Sequence, residues 1–266
     1  MSILLQISDA HFGTEQELVV AALAALSEHL EPELVVLSGD ITQRARRSQF
    51  DAAQRFAQAL RRPVVAIPGN HDIPLYNLIA RIFYPYANYM RAFGSELEPE
   101  FESDSLLVVC ANTTRPRRHK DGEISAEQVA RISERLRRSP REQLRVVVTH
   151  QPVHVIRQED EVNLLHGHDL AVREWSQAGA DIVMGGHIHL PYVRPLSDRF
   201  DKLARKLWCV QAGTATSWRI RGQIPNSVNV LKHAAGELVC SVERWDFEVT
   251  SSSFRCISTE LLQLDR

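Results

Sequence analysis

Short apolar runs alternate with longer amphipathic segments along most of this chain, and no other feature constrains its fold as strongly. Seven runs rich in Val, Ile and Leu have the length of buried strands, at Ile3–Ile7, Leu34–Leu37, Val64–Ile67, Leu106–Cys110, Arg145–Thr149, Ile182–Met184 and Leu207–Gln211. Apolar residues at three-to-four spacing predict helices between them, at Glu15–His29, Ser48–Leu60, Ala80–Phe93, Ser125–Arg138 and Asp169–Gln177. This alternation is typical of an α/β protein.

The last fifth of the chain has a different pattern. Two extended runs, Ser227–His233 and Glu237–Phe247, flank Ala235 and Gly236 and predict a hairpin added to the sheet. No linker, repeat or composition break divides the 266 residues. We therefore expect a single domain over residues 1–250, followed by a C-terminal tail, 251–266, whose structure the pattern does not predict.

Composition excludes several classes of protein. Apolar residues make up 44% and charged residues 24%, as in ordinary soluble domains, and the net charge of -2 does not favour nucleic-acid binding. Four cysteines without CxxC spacing suit reduced thiols, and no apolar stretch approaches the roughly 20 residues that span a bilayer. The start of the chain lacks the basic region of a signal peptide. We expect a cytoplasmic protein without membrane insertion. The segment after Ser217 is expected to complete the sheet, to cover the site or to form the interface of a homodimer.

Polar motifs follow five of the predicted strands at the point where each strand ends. They are Ser8–His11, Gly39-Asp40, Gly69–Asp72, Thr149-His150 and Gly185–His189. In an open α/β sheet the loops at the carboxyl ends of neighbouring strands meet at one edge, where ligands bind. The motifs should therefore converge on one site.

The converging side chains are carboxylates, an amide and imidazoles, which together indicate a metal centre. Seven of them are candidate ligands: Asp9, His11, Asp40, Asn70, His150, His187 and His189. Seven ligands exceed the four of a closed zinc site, so we expect two ions with one bridging carboxylate. Oxygen and nitrogen ligands without thiolate favour divalent or mixed-valence first-row ions such as Mn, Fe or Zn.

Two ions about 3.5–4 Å apart can bind a hydroxide and clamp a phosphoryl oxygen, which makes phosphoester hydrolysis the natural chemistry. The leaving alcohol also needs a proton. His71 is the candidate donor, and Asp72 is expected to fix its orientation. Both are therefore candidate catalytic residues.

Substrate contacts are less constrained by the pattern. Besides Asn70 and His71, the candidates are Arg44, which follows Asp40, and Asn112 and Arg115, which follow the fourth predicted strand. The alternative for Arg44 is the exposed start of a helix, and for the other two a solvated loop. The segment Leu164–Asp169 is expected to cap a helix or to form a rim of the site, because the metal positions are already filled.

The ordered series DxH, GD, GNHD, an isolated His and GHxH resembles the calcineurin-like metallophosphoesterases, from Asp9 to His189. The resemblance implies a four-layer αββα fold, in which two packed mixed sheets are flanked by helices. It also implies that Asp9, His11 and His189 bind one metal. Asn70, His150 and His187 would bind the other, with Asp40 bridging and His71 as the active-site histidine.

Within that family the motifs look more similar to small bacterial class III enzymes of the cyclic-nucleotide phosphodiesterase type than to protein phosphatases. Protein phosphatases carry GNHE and GDxxDRG, whereas this chain has Asp72 and GDITQRA at the matching positions. We expect hydrolysis of a small-molecule phosphodiester such as a 3′,5′-cyclic nucleotide. The alternatives are a phosphomonoesterase, a nuclease, a lipid-pyrophosphate hydrolase or a non-catalytic metal-binding interaction module.

Overall fold

The predicted strands lie in two sheets that pack face to face in the computed structural model, which describes residues 1–265. In chain order the elements are β1 (Ser2–Ile7), α1 (Glu17–Leu30), β2 (Leu34–Ser38), α2 (Arg47–Ala59), β3 (Val64–Ile67), α3 (Leu78–Phe83), α4 (Ala87–Phe93), β4 (Glu100–Glu102), β5 (Leu106–Cys110), α5 (Ala126–Arg137), β6 (Leu144–Val148), α6 (His168–Ala178), β7 (Ile182–Gly185), β8 (Tyr192–Pro195), β9 (Trp208–Gln211), β10 (Ser227–His233), β11 (Val239–Glu248) and β12 (Ser253–Gln263).

Each sheet is mixed and has six strands. The first has the order β12-β11-β10-β1-β2-β3, and the second has the order β4-β5-β6-β7-β9-β8. Strands β1 to β3 run parallel in the first sheet, as do β5, β6, β7 and β9 in the second. The carboxyl ends of the parallel strands in each sheet therefore lie at one edge.

Three apolar clusters separate four layers. Leu4 faces the second sheet, in a cluster with Val108 and Val146, whereas its neighbour Leu5 packs with the residues of α1 and α2. On the outer face of the second sheet, Val147 packs with Trp175 of α6 in a third cluster. Successive residues of a strand face opposite sides, so a strand covered on both sides has a continuous apolar run. The αββα fold that the resemblance implied is confirmed.

Two predictions about local structure need correction or completion. The single helix expected over Ala80–Phe93 is wrong: α3 and α4 are separate, because Pro85 has no N–H to donate and restricts the residue before it. Most of the C-terminal tail forms β12, which pairs with β11 along its length at the edge of the first sheet. Seven of its consecutive residues, 255–261, are exposed, which explains why no alternation was visible.

Within residues 1–265, no helix has both the length and the apolar character needed to cross a bilayer.

Candidate metal centre

The five motif loops meet at the carboxyl edges of both sheets. Asp9 and His11 follow β1, Asp40 follows β2 and Asn70 follows β3, whereas the other three candidate ligands follow β6 and β7 of the second sheet. Backbone hydrogen bonds join neighbouring loops: Asp9 N–H donates to Gly39 O (3.1 Å), His11 N–H to Asp40 O (3.0 Å) and Gly186 N–H to His150 O (2.9 Å). The site is thus formed between two sheets and is braced by main chain.

One group of donor atoms comprises Asp9, His11 and His189, whose ligand atoms all lie within 4.8 Å of one another. His189 Nε2 is 3.2 Å from Asp9 Oδ1 and 3.1 Å from His11 Nε2. Donors that share an ion at about 2.1 Å must be about 3–4.2 Å apart. The spacing therefore fits a single ion between these three side chains.

A second group comprises Asp40, His150 and His187. His150 Nε2 is 3.3 Å from Asp40 Oδ1 and 3.3 Å from Asn70 Oδ1, which places the amide beside the same group. The other Asp40 oxygen, Oδ2, is 3.8 Å from His11 Nε2 of the first group. Asp40 thus lies between the two groups, where a bridging carboxylate belongs.

The imidazole tautomers are set by hydrogen bonds on the far side of each ring. Carbonyl oxygens accept only, so His150 Nδ1–H donates to Ser38 O (3.0 Å) and His189 Nδ1–H donates to Arg219 O (2.6 Å). Each bond leaves the Nε2 lone pair directed at the carboxylates. His187 Nδ1 is buried and has no hydrogen-bond partner within residues 1–265, an arrangement that a metal would satisfy.

The electrostatics of the site also suit cations. Burial would raise the pKa of Asp9, but the attraction of nearby imidazoles lowers it to about 2, and that of His150 and others holds the pKa of Asp40 well below its usual range. Burial lowers the pKa of His11 to about 3 and, with repulsion from His150, that of His187 to about 3. Although burial lowers them, attraction to Asp40 raises the pKa of His150 to about 9, and attraction to Asp9 raises that of His189. A bound metal would displace the protons of these two rings, because metals bind ionised carboxylates and neutral imidazoles.

The backbone is strained at the site. Only ten non-glycine residues among 1–265 have positive φ, and five of these are candidate ligands with φ between 47° and 72°: Asp9, His11, Asp40, His187 and His189. Such conformations are uncommon for residues other than glycine and cluster at functional sites. This concentration is an indication of function that does not depend on any motif.

Two glycines allow the loops to approach the carboxylates. A Cβ at Gly69 would collide with the backbone nitrogen and the carboxylate of Asp40, and one at Gly186 would collide with Ser8 Oγ and lie 2.5 Å from Asp9 Oδ2. Any side chain would therefore displace the carboxylates. The glycines of GNHD and GGH are needed for close packing.

The two candidate catalytic residues have different surroundings. The ring of His71 lies at the cleft with Nε2 4.0 Å from Asp40 Oδ2, and its Nδ1–H donates to Gln43 O (3.0 Å). The expectation that Asp72 orients this ring is wrong. Its buried carboxylate instead accepts hydrogen bonds from Ile41 N (3.0 Å), Thr42 N (2.7 Å), Thr42 Oγ1 (2.8 Å) and Gly69 N (2.9 Å). Asp72 therefore clamps together the loops that carry Asp40 and Asn70.

Four of the candidate ligands line the floor of an open cleft of about 500 Å³: Asp40, Asn70, His187 and His189. Its walls include four residues that the sequence did not single out: Lys120, Asn163, Arg219 and Arg221. They come from connections outside the strand-end motifs, so no spacing pattern marked them. The two arginines lie in the connection between β9 and β10, which closes one side of the cleft.

Three residues expected to contact substrate do not line this cleft. The Asn112 side chain is buried and accepts from Thr114 N and Thr114 Oγ1, and Arg115 donates to two backbone carbonyls and to Gln128 Oε1. Both are held in a structural network because the loop after β5 folds back on α5. Arg44 stacks over the ring of Tyr76 at 5.4 Å. His168, in the other segment considered, begins α6 and bonds to Leu165 O, as expected for a helix start.

Comparison with known families agrees with this geometry. A family model described as calcineurin-like phosphoesterase matches residues 3–191, which include all seven candidate ligands. The chain belongs to the calcineurin-like phosphoesterases. The matched region ends at residue 191, so strands β10 to β12 lie beyond it.

Among individual relatives, this calcineurin-like phosphoesterase is 22% identical over 201 residues to a probable cyclic nucleotide phosphodiesterase from Synechococcus sp., covering 71% of this chain and 74% of that protein. It is 36% identical over 83 residues to the glycerophosphodiester phosphodiesterase GpdQ of Enterobacter lignolyticus, covering 26% of this chain and 29% of that protein. The latter match thus spans less than a third of the relative. The structure of purple acid phosphatase PPD1 from yellow lupin superposes with a TM-score of 0.75 at 15% identity, covering 99% of this chain and 54% of that chain, and shares the fold.

Proposed function

We propose that this protein hydrolyses a small-molecule phosphodiester with two metal ions held at the cleft floor. The observation that carries the proposal is the pair of donor groups that meet at Asp40. One ion would be held by Asp9, His11 and His189. The other would be held by Asn70, His150 and His187, and Asp40 would contact both. Mn, Fe or Zn would suit these oxygen and nitrogen donors.

When bound, two such ions supply an activated water and offset the negative charge that grows on the phosphoryl oxygens. The protein itself would position the substrate and supply the proton for the leaving group. Asn70 and His71 lie at the floor of the cleft, within reach of a phosphoester placed over the centre. Because Gln43 O fixes the Nδ1–H of His71, its Nε2 faces the cleft and is the atom that would protonate the departing alcohol.

A diester substrate is favoured by the relatives, and a small-molecule substrate is favoured by the size of the cleft. The names of both relatives describe phosphodiesterases. A cleft of about 500 Å³ lies within the range of about 300–1,000 Å³ typical of small-molecule sites, and 3′,5′-cyclic nucleotides are of suitable size. A phosphomonoesterase is the second candidate, since the same donor groups would serve a monoester.

Two broader features complete the proposal. Cys110, Cys209 and Cys256 form no disulfide within residues 1–265, and the first two are buried, which favours a reducing compartment, and we propose the cytoplasm. A small phosphoester is the proposed partner, with no requirement for nucleic acid.

The test of the proposed function compares bis(p-nitrophenyl) phosphate with p-nitrophenyl phosphate after chelation and again after Mn²⁺ is added back. We expect diester hydrolysis to disappear on chelation and to return with Mn²⁺, because the ionised donor groups alone provide no activated water. A preference for the monoester would establish the phosphatase instead. No hydrolysis of either substrate would favour an interaction module, provided that metal binding is shown separately.

His71→Asn is expected to lower kcat by about 10²–10³-fold for an alkyl diester, whose alkoxide must be protonated as it leaves. For a p-nitrophenyl diester the loss should be at least tenfold smaller, because p-nitrophenolate leaves without a proton. The measurement is kcat for both substrates in parallel, with His29→Asn on the exposed side of α1 as the matched control. Equal losses for both leaving groups would contradict proton donation by His71 and indicate substrate positioning.

A further inference from the structure

Three cationic side chains line the cleft beside the metal centre. Lys120 belongs to the connection between β5 and α5, and Arg219 and Arg221 belong to the connection between β9 and β10. The metal donor groups do not use these side chains. Their partners determine how much positive charge they present to a ligand.

Arg221 is already neutralised. Its Nη1 lies 2.9 Å from Asp160 Oδ1, its Nη2 lies 2.7 Å from Glu159 Oε1, and it also donates to Ile188 O at 3.1 Å. Two carboxylates and a carbonyl leave no positive charge for a ligand. The role that these contacts support is to anchor the β9–β10 connection over the cleft.

Arg219 and Lys120 have only neutral partners within residues 1–265. Arg219 Nη1 donates to the amide oxygen of Gln43 at 3.1 Å, and Lys120 Nζ lies 3.5 Å from the amide oxygen of Asn163. Both side chains are exposed at the cleft rather than buried in the wall. The backbone oxygen of Arg219 accepts the hydrogen bond from His189 Nδ1, so the residue that carries this guanidinium lies directly beside a candidate metal ligand.

The charges at the cleft exceed what a simple diester would neutralise. Asp9 and Asp40 carry two negative charges, a bound hydroxide would carry one, and two divalent ions would carry four positive ones, so the centre would have a net charge of about +1, which one diester neutralises. Arg219 and Lys120 add two more. A diester brings one negative charge, whereas a guanidinium and an ammonium together are suited to a carboxylate or a second phosphate.

We infer that Arg219 and Lys120 form an anion subsite, which selects phosphodiesters whose non-leaving alcohol carries an additional carboxylate or phosphate. This inference rests on the proposed function and specifies its substrate class. Because Gln43 contacts both Arg219 and His71, the subsite lies on the His71 side of the cleft. The scissile phosphate would lie over the metal donor groups, and the second anion would pair with the guanidinium and the ammonium that line the same cleft.

The test uses three p-nitrophenyl diesters that share a leaving group and differ in the second alcohol: ethyl (neutral), choline (cationic) and 2-carboxyethyl (anionic). The wild-type protein with Mn²⁺ should have its highest kcat/KM for the anionic diester and its lowest for the cationic one. In Arg219→Gln and Lys120→Gln, KM for the anionic diester should rise about tenfold with little change for the ethyl diester. Arg219→Lys should recover part of the preference.

Arg55→Gln, on the exposed side of α2, is the matched control and should keep the wild-type order. Without metal, calorimetric binding of the carboxyethyl diester should also weaken about tenfold in Arg219→Gln, and melting temperatures report whether each variant is folded. Equal kcat/KM for all three diesters in the wild type would overturn the subsite and leave the proposed function standing. Equal loss for all three in the variants would also overturn it, and no hydrolysis at all would overturn both proposals.

Discussion

Replacing Asp40 by asparagine is expected to lower kcat/KM for a phosphodiester by about a thousandfold, which corresponds to about 4 kcal/mol of transition-state stabilisation. The buried carboxylate is the group closest to both sets of donors, with His150 Nε2 3.3 Å from one oxygen and His11 Nε2 3.8 Å from the other. Asparagine has a similar shape and can still accept the hydrogen bond from His71 N–H (2.8 Å). The substitution therefore removes charge and bridging capacity with little change in volume.

The same variant should separate metal binding from folding. Adding Mn²⁺ to the chelated wild type should raise its melting temperature, because a ligand of the native state stabilises it, and most of this rise should be lost in Asp40→Asn. Without metal the variant should be less stable than the wild type at neutral pH, because the depressed pKa of Asp40 means that its ionised carboxylate stabilises the folded state through the nearby imidazoles. Asp104→Asn, at an exposed position between β4 and β5, is the control. An Asp40→Asn protein that retains two ions and a tenth of the activity would refute the bridging role.

Replacing Asp72 by alanine is expected to cost roughly 3 kcal/mol or more in the free energy of unfolding. The carboxylate accepts the backbone N–H groups of Ile41, Thr42 and Gly69 and the hydroxyl of Thr42. Alanine would leave three buried backbone donors without a partner, at about 1–3 kcal/mol each. Because these donors flank Asp40 and Asn70, affinity for metal should also fall.

Urea unfolding of the chelated protein measures this cost without the contribution of bound metal. Thr42→Val removes one hydrogen bond to the same carboxylate and the one that Thr42 Oγ1 accepts from Ala45 N (3.1 Å), and should cost about 2 kcal/mol, which makes it the graded control. Asp72→Asn should lie between the two, because one of its oxygens is replaced by a donor facing other donors. If Asp72→Ala unfolds at the wild-type urea concentration but loses activity, the residue acts in the chemistry rather than in the clamp.

The sequence predicted the strands that supply the site because each was a short apolar run that ended in polar residues. It did not predict β4 and β8, which have three and four residues, or β12, whose outward residues are nearly all exposed. These three strands lie at the edges of the two sheets, where little burial is required and the sequence therefore shows little alternation of apolar and polar residues. A one-dimensional pattern also cannot tell one sheet from two; the family resemblance supplied that distinction.

In the site, too, some residues could be predicted from the sequence and others could not. The seven candidate ligands adjoin strand ends in the sequence, so a simple topological rule brings them together, and the structure does so. The roles of Asp72 and Arg115 depend on which backbone groups face them, and this is settled only when distant loops pack. Arg219 lies on a connection outside the motif series, so nothing in the sequence linked it to the cleft before the backbone placed it beside His189.

The left-handed backbone of five candidate ligands has a further consequence for how such a protein can change. Non-glycine residues in this conformation cost of order 1 kcal/mol or more, although Asp and His tolerate it better than most. Glycine at His189 or Asp9 would relieve that strain and delete a donor in the same step. Selection for the stability of the metal-free backbone alone would thus act against these conformations, whereas bound metal, which stabilises the native state, would retain the donors that adopt them.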